Sequence, residues 1–153
     1  MLTSGTKAPA FTLDDMAGGK RGLSEILAKG PALVVLYKIS CPVCQMAMPY
    51  IERVSKGSLQ VVSISQDDAR GTSRFQQNLG LSIPTLLDRE SEGYPASNGF
   101  GITHVPSLFL VEPDGMISLS TTGFSKHEFE ALGKRAGVET FRPEDHVPEW
   151  KAG

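Results

Sequence analysis

Five consecutive apolar residues, Leu33-Val34-Val35-Leu36-Tyr37, lead within a few positions into a pair of cysteines, Cys41 and Cys44. An apolar run without alternation suits a strand covered on both faces, as in a parallel sheet. The apolar positions that follow, Val43, Ala47, Tyr50, Ile51 and Val54, recur at helical spacing. The cysteines therefore stand where a buried strand hands over to a helix. Pro42 suits the first turn, where its missing N–H costs nothing, and Pro49, well inside, is expected to kink the helix. A second apolar strand over 59–65, an amphipathic helix over 72–79 closed by Gly80 and a short strand over 84–87 repeat the alternation. Strand, helix, strand, helix is an α/β pattern with parallel strands.

The flanking segments are simpler. Pro9, Phe11 and Leu13 alternate with Ala10 and Thr12 as in a half-buried strand, which Gly18-Gly19 breaks. Ser24 and Glu25 before Ile26 and Leu27 read as the start of a short helix that Gly30-Pro31 ends. Residues 93–101 form a turn-rich helix or loop. Strands over 107–111 and 116–121 flank Glu112-Pro113-Asp114-Gly115, a tight-turn sequence and hence a β-hairpin. Ser125 with Glu128 has capping-box spacing, and Phe129, Leu132 and Ala136 give one apolar face to a helix ending near Gly137. With 153 residues, 40% of them hydrophobic, the chain can fill one core. That core is expected in a single domain over residues 1–137, followed by a polar C-terminal tail over 138–153 that carries the one tryptophan, Trp150.

Lys and Arg number 15 against 17 Asp and Glu, a net charge of -2. So balanced a chain has no electrostatic footprint for a phosphate backbone, which excludes a nucleic-acid partner. The longest apolar run, 32–37, is far short of the ~20 residues that cross a bilayer, so no membrane span is expected. Residues 1–10 lack the apolar core of a secretory signal. As written, the sequence suggests a cytoplasmic protein, or a periplasmic or membrane-anchored one if a leader has been removed.

Cys41 and Cys44 are the only cysteines, and their spacing admits a redox dithiol, half of a metal site, or two inert core residues. A structural zinc site wants four ligands in two close pairs, whereas the histidines, His104, His127 and His146, are scattered. Position favours the redox reading. Cys41 would stand at a helix N-terminus, where unpaired N–H groups and the helix dipole stabilise a thiolate. It is the candidate nucleophile. Cys44, one turn on, would resolve the mixed disulfide that Cys41 forms.

At this point the residues resemble a family. A strand running into Cys41-Pro42-Val43-Cys44, a proline five residues beyond the second cysteine and a later Val105-Pro106 before a β-hairpin resemble the thioredoxin fold. More narrowly, Phe11-Thr12-Leu13, Val61-Val-Ser-Ile-Ser65 with Asp67-Asp68 after it, and the run from Phe100 to Gly115 resemble the TlpA/ResA branch, which groups with the wider AhpC/TSA superfamily. The resemblance spans about Lys7 to Gly137. It implies a central mixed β-sheet flanked by α-helices and a thiol–disulfide oxidoreductase that reduces or exchanges disulfides in partner proteins. It also implies an upstream electron donor and no cofactor beyond a redox-active Cys41–Cys44 disulfide. Cys41 and Cys44 match the attacking and resolving cysteines, and Pro106 matches a cis-proline whose loop lines up the substrate backbone. Pro42, Val43 and Val105 are the expected substrate contacts.

The chain also departs from the family pattern. Ser40 stands where the family usually carries Trp, and Val35 where thioredoxins carry a buried Asp, so proton transfer to Cys44 needs another group or water. Lys38 is either a cation that favours the nucleophile's thiolate or a solvated strand-end residue; His104 would favour the thiolate likewise if it faces Cys41. The peroxiredoxin pattern resembles Pro-x-x-x-Thr/Ser-x-x-Cys, which puts Val34 and Lys38, or Tyr37 and Cys41, at the proline and hydroxyl positions; thiol peroxidase is therefore a lesser alternative. A Cu(I) carrier resembling the Sco family is the main one: Cys41, Cys44 and His104 form a donor set that suits Cu(I). Against it, Sco proteins space their cysteines by three residues and lack a proline matching Pro106. Asp67-Asp68 reads as a strand-end turn with a helix-start charge preference, and Phe124 with Phe129 as core or staple packing.

Overall fold

A computed structural model describes all 153 residues, Met1 to Gly153. The chain begins with a hairpin of β1 (Thr12–Asp15) and β2 (Lys20–Gly22), then α1 (Leu23–Leu27). The central run is β3 (Ala32–Tyr37), α2 (Pro42–Ser55), β4 (Gln60–Ser65), α3 (Ala69–Leu79) and β5 (Thr85–Leu87). After α4 (Pro95–Phe100) come β6 (Ser107–Val111), β7 (Ile117–Thr122), β8 (Phe124–Ser125), α5 (Lys126–Ala136) and β9 (Trp150–Lys151).

Seven strands form one sheet in the order β2-β1-β5-β4-β3-β6-β7. β3 runs parallel to β4 and β4 to β5, while β6 lies antiparallel to β3, so the sheet is mixed. The six residues of β3 are all buried because the strand is covered on both faces. Leu33, Val35 and Tyr37 pack with α2, α5 and Phe75 of α3, whereas Ala32, Val34 and Leu36 pack with α1, α4 and Phe11. This is the α/β arrangement expected, a central mixed sheet flanked by helices. β3, β4 and β5 all end on the same side of the sheet, so the segments after Tyr37, Ser65 and Leu87 meet there.

Local chemistry sets the boundaries. The alternation around Phe11 and Leu13 is real, with both buried and Thr12 exposed. Ladder pairing starts only at Thr12, because β2 and β5 reach no further back. Gly22, not Ser24, is the N-cap of α1. α3 starts earlier than periodicity suggests because the Asp68 carboxylate accepts a hydrogen bond from Gly71 N at 2.7 Å, capping a polar first turn. Ser125 caps α5 as expected, accepting from Glu128 N at 3.2 Å. α2 passes through Pro49 as one continuous helix.

Residues 138–153, read from composition as a polar tail, lie against the body. Thr140 is buried and its hydroxyl donates to Phe129 O at 2.9 Å. The Phe141 ring packs on Tyr50 and Phe124, with centroids 5.0 and 5.8 Å apart. Asp145 pairs with Arg53 of α2 at 2.6 Å, and β9 pairs antiparallel with β8. No helix is long and apolar enough to cross a membrane.

Candidate active site

The site forms where β3 ends and α2 begins. Cys41 is the N-cap of α2, in extended conformation, with Pro42 in the first turn. The Cys44 amide donates to Cys41 Sγ at 3.2 Å, a hydrogen bond that strengthens as negative charge develops on sulfur. The Cys41 thiol donates in turn to the Val105 carbonyl at 3.4 Å. Both thiols are free; Cys41 is partly exposed and Cys44 fully buried. Burial pushes the Cys44 thiol well above its ordinary range, and a hydrogen bond to the Lys38 backbone offsets only part of this.

The strand-to-helix loop is tied down from both sides. Asp67 Oδ2 accepts from Ile39 N at 2.8 Å, and Gln45 Nε2 donates to Ile39 O at 3.0 Å. Asp67 is more than a strand-end turn residue: it joins the loop after β4 to the loop that carries the nucleophile. Its only signal in the sequence is its place at the end of a parallel strand, where such loops converge.

The bond between Val105 and Pro106 is cis, as expected, with Pro106 buried and Val105 half-buried against Cys41. Pro42 is exposed beside the nucleophile and Val43 half-buried. Lys38 is exposed and lines a polar trough with Asp67, Arg89 and Glu90; its carbonyl accepts from Cys41 N at 3.2 Å, while its ammonium makes no hydrogen bond to Cys41. His104 is also exposed, and its Nδ1 is engaged with the Thr103 hydroxyl at 2.9 Å. No three His, Cys, Asp or Glu side chains gather closely enough to hold a metal ion, so His104 does not join the two thiols as a third ligand.

Two structural features behind and beside the thiols had no sequence signal. The Tyr37 hydroxyl is buried without a hydrogen-bond partner, while Ser63 and Ser65 nearby pair with Thr85 and Thr72 at 2.7 Å each. At the other side, the chain beyond β9 comes so close to the Val105 carbonyl that position 153 has no room for a side chain.

A dithiol placed at the open end of this sheet, one sulfur presented and one withheld, is the apparatus of a thioredoxin-like thiol–disulfide oxidoreductase. Residues 4–120 match the model of the AhpC/TSA family. The chain belongs to that family. It is 24% identical over 124 residues to the thiol-disulfide oxidoreductase ResA of Geobacillus thermodenitrificans, covering 78% of this chain and 69% of the relative. A Mycobacterium tuberculosis protein provisionally named a peroxiredoxin is 30% identical over 129 residues, 76% of this chain and 82% of that one. The thioredoxin domain of a Bacteroides vulgatus thiol-disulfide oxidoreductase superposes with a TM-score of 0.77 at 18% identity, covering 89% of this chain and 99% of the domain. That similarity shows the shared fold.

Proposed function

We propose that the protein reduces or exchanges disulfides in partner proteins, with Cys41 as nucleophile and Cys44 as resolving thiol. One observation carries this assignment: the partly exposed Cys41 sulfur accepts the Cys44 amide at the start of α2, while the Cys44 sulfur is buried beneath it. The Cys41 thiolate attacks one sulfur of a partner disulfide. A Cys41–partner disulfide forms, and the other partner sulfur leaves as a thiolate that takes up a proton. Cys44 then loses its proton and attacks Cys41 Sγ, releasing the partner as a dithiol and leaving a Cys41–Cys44 disulfide. A second dithiol, the upstream electron donor, restores the pair by the same two exchanges in reverse. The electrons stay on sulfur throughout, and no further cofactor enters the scheme. Pro42, Val43 and Val105 form the surface the partner meets, and Pro106 holds Val105 beside the nucleophile. Lys38, three residues before Cys41, supplies positive charge on the same loop.

The Cys44→Ser variant tests the assignment. It should accumulate a mixed disulfide between Cys41 and a disulfide-bearing protein, visible by mass spectrometry and absent after reduction; Cys41→Ser should trap nothing. Trapping through Cys44 in the Cys41→Ser variant would reverse the roles. A thiol peroxidase reading draws on the name of the mycobacterial relative, yet Lys38 occupies the position where a hydroxyl would orient the peroxide. Peroxide consumption by the reduced protein measures it directly. The Cu(I) carrier reading loses its third ligand with His104 engaged elsewhere.

A further inference from the structure

Two depressions lie side by side at the carboxyl ends of β4 and β5, the end of the sheet where Cys41 also stands, and where α/β sheets form their binding crevices. Gln66 and Tyr94 wall both. The smaller, about 190 Å³, is further bounded by Ser97, Asn98, His104 and Val105. Val105 belongs to this depression and to the site at once, since its carbonyl takes the Cys41 thiol at 3.4 Å. The space is below the ~300 Å³ at which pockets for whole small molecules begin, and suits a single side chain.

Tyr94 gives the depression its second distinguishing feature. It is the one residue other than glycine with positive φ, at 49°. For a bulky side chain this is an outlier, held only where the surroundings over-determine it, and such residues cluster at functional sites. The surroundings here do so. Tyr94 N donates to Arg89 O at 3.0 Å, and Tyr94 O accepts from Asn98 N at 2.9 Å. The buried Asp88 carboxylate accepts from Ala96 N and Ser97 N at 2.9 and 2.8 Å, anchoring the helix that follows. Glycine would take this conformation without steric cost; a tyrosine kept against it points to use of the ring.

The chemistry of the lining indicates what enters. Asn98 commits one amide N–H to Gly93 O at 2.6 Å, and Gln66 commits one to Ser97 Oγ at 2.9 Å. Each keeps its amide oxygen as an acceptor and a second N–H as a donor. No carboxylate lines the depression to balance a cation. We propose that this depression is a specificity subsite for polypeptide disulfides. It takes the side chain next to the attacked cysteine and selects an uncharged group that both donates and accepts hydrogen bonds, of the Asn or Gln kind. The inference rests on Cys41 being the nucleophile.

The test uses hexapeptides joined to glutathione through one cysteine and differing only in the residues beside it, with oxidised glutathione as the featureless comparison. The reduced wild-type protein should reduce peptides carrying Asn or Gln at one flank about tenfold faster than those carrying Leu or Glu, since a site built for hydrogen bonds rejects groups that leave it unpaired. In Tyr94→Gly, which keeps the backbone conformation, and in Asn98→Ala, that ratio should fall below about twofold. Unfolding midpoints check that both variants are folded, and His104→Ala, at another lining residue, replaces either one that is not. A wild-type protein without flank preference, or a preference that survives the variants, overturns the subsite while leaving the exchange reaction standing. Failure to reduce oxidised glutathione and every peptide overturns the proposed function, and the subsite with it.

Discussion

Cys44 lies under the helical turn that Cys41 caps, and its burial has a consequence for stability as well as for chemistry. Its thiol in the folded protein ionises well above the ordinary value, whereas in the unfolded chain it would return to about 8.5. The folded state therefore keeps a proton that the unfolded state gives up. The stabilisation is complete below about pH 8.5 and is lost as pH rises beyond it, by about 2 kcal/mol at pH 10. Urea unfolding of the reduced protein between pH 7 and 10.5 should show this fall, and Cys44→Ala should make it shallower. The remainder falls to Tyr37, whose hydroxyl burial also pushes up and whose ordinary value is about 10. The oxidised protein, with no thiol at position 44, should behave like Cys44→Ala. The same residue was readable in the sequence as a resolving thiol, one turn after Cys41, but its burial was not, because that depends on α5 and β6 closing over α2.

At the scale of elements, α2 is held by side chains that its periodicity does not advertise. Glu52 Oε1 accepts from Ser82 N at 2.9 Å and Ile83 N at 3.2 Å, and Oε2 from Ser82 Oγ at 2.5 Å and Lys56 Nζ at 2.9 Å. These bonds tie the back of the helix to the loop before β5. Burial opposes the charge on Glu52, but the Ser82 hydroxyl and Lys56 outweigh it and hold the carboxyl below its usual range. The carboxylate thus stabilises the fold above about pH 4.3, and less as pH falls through its lowered folded value. Glu52→Gln should lower the unfolding free energy by about 1.5–3 kcal/mol at pH 7, and by much less at pH 3, measured by urea titration. A mutant effect of equal size at both pH values would assign the loss to packing instead. The strands and helices themselves were largely legible, because apolar period and caps are local: Ser125 capped α5 where expected, and the turn at 112–115 joined β6 to β7. The early start of α3 was hidden because its first turn, Ala69-Arg70-Gly71, buries no residue, and its single exposed alanine is too little to reveal the period.

For the molecule as a whole, the C-terminal segment completes the surface formed by α2, β8 and α5. Gly133 of α5 leaves no space for a Cβ beneath Thr140, and Gly123 none beneath Lys151, so both glycines permit the segment's close approach. Phe141 fills a cluster with Tyr50 and Phe124, while Arg53 donates to Thr140 O and pairs with Asp145. Phe141→Ala should cost about 2–3 kcal/mol, less than for a fully buried ring. Removal of residues 138–153 should cost more than that substitution alone, both read from urea midpoints. A truncated protein as stable as the full chain would show that the packed segment contributes nothing to the fold.

What the order of residues carried was everything encoded by neighbours along the chain: a doubly covered strand, the helix opened by Cys41, the proline of the facing loop, and through them the fold and the kind of chemistry. A five-residue apolar run and a Cys-Pro-Val-Cys junction need only local geometry to be recognised. The difference in burial between the two thiols, the tie from Asp67 to Ile39 and the docked C-terminal segment arose only when distant segments met. Those features depend on contacts across tens of residues, from Cys41 to Val105 and from Arg53 to Asp145, and no periodicity records which of many polar side chains such contacts will bring together.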